Sequence, residues 1–308
     1  MSEVATETQL WNLLRGAMAT KALGFAADLQ IAEALAAGPR PVAELAQSAG
    51  TDAQTLYRVL RALASDGVFA EAAPGVFRNT EASDLLRRDG WPEFAHLFGS
   101  VFYDAIARLP GRLEADFWSW LAEHPAERRA FDTAMAGGKA EDADRLAALD
   151  WHADEIVVDV GGGNGELLRA LLQRRPQLRG IVFDLPETVR DESAFGEGVE
   201  FVAGSFFDTV PAGDAYVLSK ILHDWNDERA AAILRTIQTT ARKGARLLLI
   251  ESVVGAGNEP QGTKWLDLLM LVLVDGRERT ETEWRALLGD AGFDVESAED
   301  GLIQARCR

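Results

Sequence analysis

The run Asp159-Val160-Gly161-Gly162-Gly163-Asn164-Gly165 has the composition of a turn that lets backbone close on a ligand. Glycine carries no Cβ to hold a bound molecule away. Glycines at 161, 163 and 165 give G-x-G-x-G, whereas the dinucleotide fingerprint G-x-G-x-x-G wants its third glycine where Glu166 stands. Asp159 ends an apolar run just before the turn. About twenty residues on, Asp184 ends Ile181-Val182-Phe183-Asp184, and a carboxylate at such a strand tip can accept both hydroxyls of a ribose. His223 stands in Leu222-His223-Asp224-Trp225, just past another apolar run. An imidazole titrates at about 6.5 and can take a proton from an attacking hydroxyl.

These residues need a scaffold that brings strand ends together. From 155 onward the sequence alternates strands and helices, which predicts a parallel sheet covered on both faces. The predicted strands are 155–160, 180–184, 199–203, 214–219, 245–251, 293–298 and 302–307. The predicted helices are 165–174, 187–193, 227–242, 261–274 and 281–291. Strand, glycine turn and helix at 155–174 is the nucleotide-binding unit of such sheets. The G-x-G-x-G spacing looks like S-adenosylmethionine (SAM) binding, in which no pyrophosphate needs the helix N-terminus. Thr280 and Glu283 form a capping box for the last helix, and Gly292 follows it. Asp227 is read as the cap of the helix that begins there, and Asp224 is left open as an orienting group or a substrate contact.

Ahead of the sheet, Leu10, Leu14 and Met18, then Phe25, Leu29 and Ala32, recur at helical spacing. Such a stripe serves as a dimer surface or packs within the monomer. Residues 41–82 read as a winged helix. Val42–Ala49 forms a helix stopped by Gly50, Thr51 to Gln54 is a capping box, and Pro74-Gly75 turns a hairpin. Residues 91–150 are helical and rich in aromatic side chains. The domains are therefore expected at 1–90, 91–150 and 151–308.

Composition narrows the function. The chain of 308 residues has a net charge of −18, which opposes binding to a polyanion. Residues 1–90 hold eight Lys/Arg against eleven Asp/Glu, so a DNA-reading role for the winged helix lacks a basic surface. One cysteine, Cys307, excludes a disulfide framework, and the four histidines have no metal-ligand spacing. The longest apolar run, Leu266 to Val274, contains Asp267 and is too short to span a bilayer. With no signal peptide visible, a cytoplasmic protein without metal, nucleic-acid or membrane partners is expected. Asp267, a charge in an apolar helix, needs a substrate, a backbone group or an arginine as partner.

The segments D-V-G-G-G-N-G, F-D-L-P-E, G-S-F-F-D, I-L-H-D-W-N-D-E, I-E-S-V-V and G-R-E-R-T-E-T-E-W together resemble the plant-type, SAM-dependent small-molecule O-methyltransferases, which include bacterial antibiotic-tailoring enzymes. The resemblance covers nearly the whole chain. It implies a C-terminal Rossmann-like α/β methyltransferase sheet behind an N-terminal all-helical winged-helix dimerisation domain, and a homodimer. It implies SAM as cofactor, S-adenosylhomocysteine as product, and a small aromatic or polyketide-type substrate methylated on a hydroxyl. His223 would be the general base, flanked by Glu251 and Glu278. A carboxylate that accepts the second imidazole N–H fixes the tautomer and favours the imidazolium. Cofactor contacts would come from Asp159, Gly161, Gly163, Gly165, Asp184, Leu185, Ser205, Phe206, Ser219, Lys220 and Trp225, the last stacking on adenine. Substrate contacts would come from Phe131, Met135, Asp224, Asp267 and Met270. Ser205 stands where the family has an adenine-recognising Asp, and Ser219 where it often has Lys. The segment around 100–120 looks short beside the family's substrate-cap helices. Relatives that keep the fold but hydroxylate, decarboxylate, or methylate nitrogen or carbon are the alternative reading, and a winged-helix DNA regulator is a more distant one.

Overall fold

The computed structural model describes residues 3–109, 117–135, 139–186, 188, 199–255 and 259–308. The chain forms two compact units. The first holds α1 (Glu3–Leu14), α2 (Gly16–Asp28), α3 (Ile31–Ala34), β1 (Arg40–Pro41), α4 (Val42–Ala49), α5 (Ala53–Ser65), β2 (Phe69–Ala73), β3 (Val76–Asn79), α6 (Glu81–Leu85), α7 (Trp91–Gly99), α8 (Val101–Ile106), α9 (Phe117–Glu123) and α10 (Pro125–Met135). The second holds α11 (Lys139–Ala147), β4 (Ile156–Val160), α12 (Glu166–Arg174), β5 (Arg179–Asp184), β6 (Val199–Ala203), β7 (Ala215–Ser219), α13 (Asp227–Thr240), β8 (Arg246–Ile250), β9 (Val253–Val254), α14 (Thr263–Val274), β10 (Arg279–Thr280), α15 (Glu281–Asp290), β11 (Phe293–Glu299) and β12 (Leu302–Cys307). The stretch 91–150, expected as a connecting region of its own, is divided between these units: α7 to α10 belong to the first and α11 to the second.

In the first unit Val42–Ala49 ends at Gly50, whose φ of +66° favours glycine. The next helix is capped one residue later than Thr51 would allow. Asp52 is the N-cap, and its carboxylate accepts the Thr55 N–H at 2.7 Å. A charged acceptor at this place bonds more strongly than the threonine hydroxyl. The unit is not all-helical. β2 and β3 pair antiparallel across Pro74-Gly75, and Arg40-Pro41 adds a third short strand. The N-terminal apolar stripe divides. Ala26, Ile31 and Ala32 are core, with Phe25 and Leu29 packed on it, whereas Leu10, Trp11, Leu14 and Met18 are exposed.

In the second unit seven strands lie in the order β11-β12-β8-β7-β4-β5-β6. Strands β4 to β8 run parallel, and β12 and β11 are antiparallel additions at one edge. Alternate side chains feed two cores, as the period of two in a strand requires. Val158, Val160, Tyr216, Leu218, Leu247 and Leu249 meet α13 and α15 on one face. Val157, Val217, Leu248 and Ile250 meet α11 and α12 on the other. Burial on both faces explains why these strands are apolar without alternation. Truncating one such residue, Leu249→Ala, should cost about 2–5 kcal/mol. The helix predicted over 187–193 lies almost wholly outside the described residues. No helix among the described residues is long and apolar enough to cross a membrane.

Topology fixes where a ligand can sit. The chain leaves β4 toward β5 and β6, then returns to the other side of β4 as β7. The order therefore reverses between β4 and β7, and the crevice beyond the carboxyl ends of these two strands is the binding position of an open α/β sheet.

His96 supplies a testable electrostatic clasp in the first unit. Its Nδ1 lies 2.8 Å from Asp28 Oδ1 and its Nε2 2.6 Å from Glu127 Oε2, which ties α7 to α2 and α10. Both ring nitrogens face carboxylates, an arrangement that favours the imidazolium, in which both donate. Burial opposes that charge, but the bonds to Glu127 and Asp28 outweigh it and raise the pKa. A raised folded-state pKa stabilises fully below the unfolded value of 6.5 and is lost as pH rises through the folded value. Thermal melts of His96→Gln beside the parent chain should differ most below about pH 6.5 and converge in alkali. A gap that widens toward alkaline pH would contradict the clasp.

Candidate active site

The glycine turn leaves β4 with positive φ at Gly161 (+73°), Gly163 (+59°) and Gly165 (+74°). Space separates their roles. A Cβ on Gly161 would lie 2.5 Å from Ile221 Cδ1, and one on Gly165 would lie 2.9 Å from Val182 Cγ2. One on Gly163 would meet nothing within 4 Å, so the middle glycine alone borders open space. Gly162 is also required, because a Cβ there would come within 2.7 Å of Asp159 Cγ. The spacing rule passes over Gly162, since its constraint comes from a side chain beneath the turn.

That side chain, Asp159, is 2% exposed. Burial pushes its pKa up to about 7, Lys139 works against the rise and Asp184 adds to it. Its Oδ2 has no hydrogen-bond partner among the described residues. Lys139, on α11, donates to Ser219 Oγ at 3.3 Å. Sequence reasoning missed Lys139, because nothing local marks a helix residue whose partners lie across the sheet edge. Asp184 Oδ2 accepts the Gly163 N–H at 2.8 Å, and its Oδ1 accepts the Leu185 N–H at 2.6 Å. The carboxylate thus ties the turn to the tip of β5 beside the exposed Leu185. Ser205 Oγ accepts the Phe207 N–H at 3.2 Å and so serves its own turn. Phe206, Phe207 and Trp225 pack edge to face, and the Arg229 guanidinium lies 4.6 Å from the Trp225 ring centre. Lys220, in the left-handed region at φ +58°, donates to Ser252 Oγ at 3.0 Å.

His223 lies on a single 3-10 turn, Leu222–Asp224, after β7. Its Nδ1 is 2.9 Å from Glu278 Oε1 and 4.0 Å from Glu251 Oε2, and its Nε2 is 3.4 Å from Asp224 Oδ1. Glu251 is fully buried, and its Oε1 accepts the N–H groups of Ile221 (3.1 Å) and Leu222 (2.8 Å). Glu278 is 4% exposed. It reaches the ring because β10 runs parallel to β9 with Arg279 opposite Val253, two residues past Glu251. Burial alone would depress the imidazole pKa, but Asp224, Glu251 and Glu278 outweigh it and raise the pKa to about 9. This departs from the ordinary value of about 6.5 expected of a lone histidine. Burial also lifts Asp224 to about 7 and raises Glu251, against the pull of His223.

Other expected site residues find different company. Asp267 Oδ1 accepts the backbone N–H of Glu278 at 2.9 Å, so the backbone supplies a partner for this charge. Asp227 does not cap α13. Asn226 does, accepting the Arg229 N–H at 3.1 Å, while Asp227 pairs with Arg277 and Arg279. An amide one residue earlier has the extended backbone a cap needs, and it frees Asp227 for the two arginines. Met270 is half-buried on α14. Phe131 and Met135 lie on α10 in the first unit, where Phe131 packs 5.6 Å from both Phe117 and Trp118 and Met135 is 36% exposed. Among the described residues no group of His, Cys, Asp and Glu is arranged to hold a metal ion.

Residues 89–294 match the O-methyltransferase domain, and residues 11–89 match the O-methyltransferase dimerisation domain. The chain is 38% identical over 310 residues to the phenazine O-methyltransferase PhzM of Lysobacter antibioticus, covering 93% of this chain and 91% of that one. It is 38% identical over 307 residues to the 2,7-dihydroxy-5-methyl-1-naphthoate 7-O-methyltransferase of Streptomyces carzinostaticus, covering 90% of each. Among solved structures it is similar to the O-methyltransferase NcsB1 from neocarzinostatin biosynthesis, in complex with SAM and 2-hydroxy-5-methyl naphthoic acid. That likeness has a TM-score of 0.82 and 34% identity, and covers 94% of this chain and 96% of that one.

The acidic surroundings of His223 can be tested without any ligand. Histidine-selective carbon-13 NMR should find one of four imidazoles titrating at about 9. Asp224→Asn removes the largest raising influence and should move that titration to lower pH, while Asp28→Asn should leave it in place. An unmoved His223 titration in Asp224→Asn would refute the assignment.

Proposed function

The chain belongs to the O-methyltransferase family and is a SAM-dependent O-methyltransferase. From this premise we propose that its acceptor is a phenolic hydroxyl of a small aromatic or polyketide-type natural product, and that His223 is the general base. The observation that carries the reading is the His223 cluster at the switch point. A buried carboxylate accepts from Nδ1 at 2.9 Å, which leaves the Nε2 lone pair of the neutral ring to receive a proton.

The residues present suit SAM. Asp184 and the amides of the glycine turn would hold its ribose and backbone-facing edge. Gly163 leaves room there, and Asp159 Oδ2, without a partner among the described residues, offers an acceptor for a cationic amino group. Phe206 and Trp225 would border the adenine, with Ser205 as a neutral hydrogen-bonding group. When bound, the cofactor supplies an electrophilic methyl group on a cationic sulfonium.

The protein contributes position and a matched base. A phenol ionises at about 10, so an imidazole raised to about 9 takes its proton with little uphill cost. Glu278 and Glu251 hold the ring and stabilise the imidazolium that forms, and Asp224 faces the same nitrogen as the acceptor. The same acids keep most of the imidazole protonated at neutral pH in the free chain. The active form is the deprotonated one, so kcat/KM should rise with pH and level off at about 9. Much of the remaining acceleration comes from holding the hydroxyl oxygen in line with the methyl carbon. We further propose a homodimer, in which the exposed Leu10, Trp11, Leu14 and Met18 are covered by a second copy.

Calorimetric titration with S-adenosylhomocysteine should show binding that Gly163→Val abolishes, since valine cannot adopt the left-handed backbone there. With a panel of phenolic acceptors, His223→Ala should lose about 10²–10⁴-fold in kcat while S-adenosylhomocysteine affinity stays near that of the parent. Near-normal turnover in a folded His223→Ala protein would end the general-base assignment.

A further inference from the structure

Arg279 has no exposed surface, and its side chain is fully engaged. Nε donates to Asp227 Oδ1 at 2.9 Å. Nη1 donates to the carbonyl oxygens of Leu222 at 2.9 Å and Arg277 at 3.1 Å, and Nη2 to that of Trp225 at 2.8 Å. The guanidinium lies 4.9 Å from the Trp284 ring centre, a fully buried indole beneath it. Leu222 and Trp225 bracket His223 and Asp224. One side chain therefore grips the carbonyls on either side of His223 and Asp224.

The neighbouring backbone works on the same segment. The Arg277 N–H donates to the His223 carbonyl at 2.7 Å. The Glu278 N–H is held by Asp267, which fixes the residue whose carboxylate meets the imidazole. Gly276 lies so close that a Cβ would collide with the His223 carbonyl oxygen, at 2.2 Å. Nothing within the turn itself could set the ring this firmly, because a three-residue 3-10 turn has little hydrogen bonding of its own.

We propose that Arg279 is a positioning residue for the methyl transfer: its planar fork fixes the 222–225 segment so that His223 meets Glu278 and the acceptor hydroxyl together. This rests on the reading of His223 as the base. Lysine cannot replace it, since a single ammonium cannot span three carbonyls and a carboxylate. An arginine serving stability alone would leave the titration of His223 and the chemical step unchanged once the protein had folded.

The test uses the full chain with Arg279→Lys, and Asp227→Asn as a milder second variant. Asp227 is half-exposed, so its replacement loosens Arg279 without emptying a buried site. Circular dichroism and calorimetry with S-adenosylhomocysteine establish folding and cofactor affinity. In Arg279→Lys the affinity should stay within about twofold. The His223 NMR titration should move to lower pH as its grip on Glu278 weakens. With a phenolic acceptor that the parent chain methylates, kcat should fall about 100-fold and KM little, the scale expected of a small misplacement. Should Arg279→Lys not fold, Asp227→Asn should show the same two shifts in smaller measure. A folded variant of either kind with the parent's His223 titration and kcat overturns the proposal. The NMR readout separates the two readings. If His223→Ala keeps its activity, the base assignment falls, while the titration still reports whether Arg279 sets the His223 ring.

Discussion

Burying a cluster of acids costs free energy unless each is paired, and this constraint organises the site. Glu251 and Glu278 are buried, and His223 and Asp224 keep only a small exposed surface, so three potential negative charges surround one potential positive charge in a largely dry site. His223 lies within 4.0 Å of all three, and they raise its basicity. Two backbone N–H groups hold Glu251, one ring N–H holds Glu278, and backbone fixed by Arg279 holds the histidine. The same arrangement that keeps these charges buried raises the imidazole pKa to about 9.

Sheet topology decides where this cluster can exist. The glycine turn follows β4, Asp184 ends β5, the His223 turn follows β7, and Glu251 follows β8. All four lie at the carboxyl edge of a parallel sheet, on both sides of the β4/β7 reversal. Parallel strands place such ends together by construction, because each crossover returns the chain to the same edge. Glu278 and Arg279 come from outside the sheet. They arrive through the short parallel pairing of β9 with β10, which anchors the strap beside Glu251.

The glycine turn shows how one motif can answer to several constraints. All three spaced glycines share a positive φ, yet only Gly163 faces open space. Gly161 and Gly165 are kept small by Ile221 and Val182, and Gly162 by the aspartate it covers. Ile221 belongs to the segment that leads into His223, so the glycine turn and the His223 turn pack directly on each other. A change that displaced one would be felt in the other.

The sequence by itself determined the parallel strands β4 to β8, the ends of the seven sheet strands to within one residue, the glycine turn and the acidic tip at Asp184, because hydrophobic period and turn chemistry are local properties; it did not show that β11 and β12 run antiparallel. It also marked His223, Glu251 and Glu278, through motifs whose residue order is specific. It did not determine the cap at Asn226 in place of Asp227, since neighbouring polar residues compete for a cap and only backbone dihedrals choose between them. Nor did it determine the partner of Asp267, the closeness of Lys139 to Ser219, or the grip of Arg279 on Leu222 and Trp225. Each of these joins residues far apart along the chain, from 11 positions for Asp267 and Glu278 to 80 for Lys139 and Ser219. The basicity of His223 was decided last of all. It depends on burial and on the distances to three acids, and neither exists until the strands, the strap and the 3-10 turn have packed together.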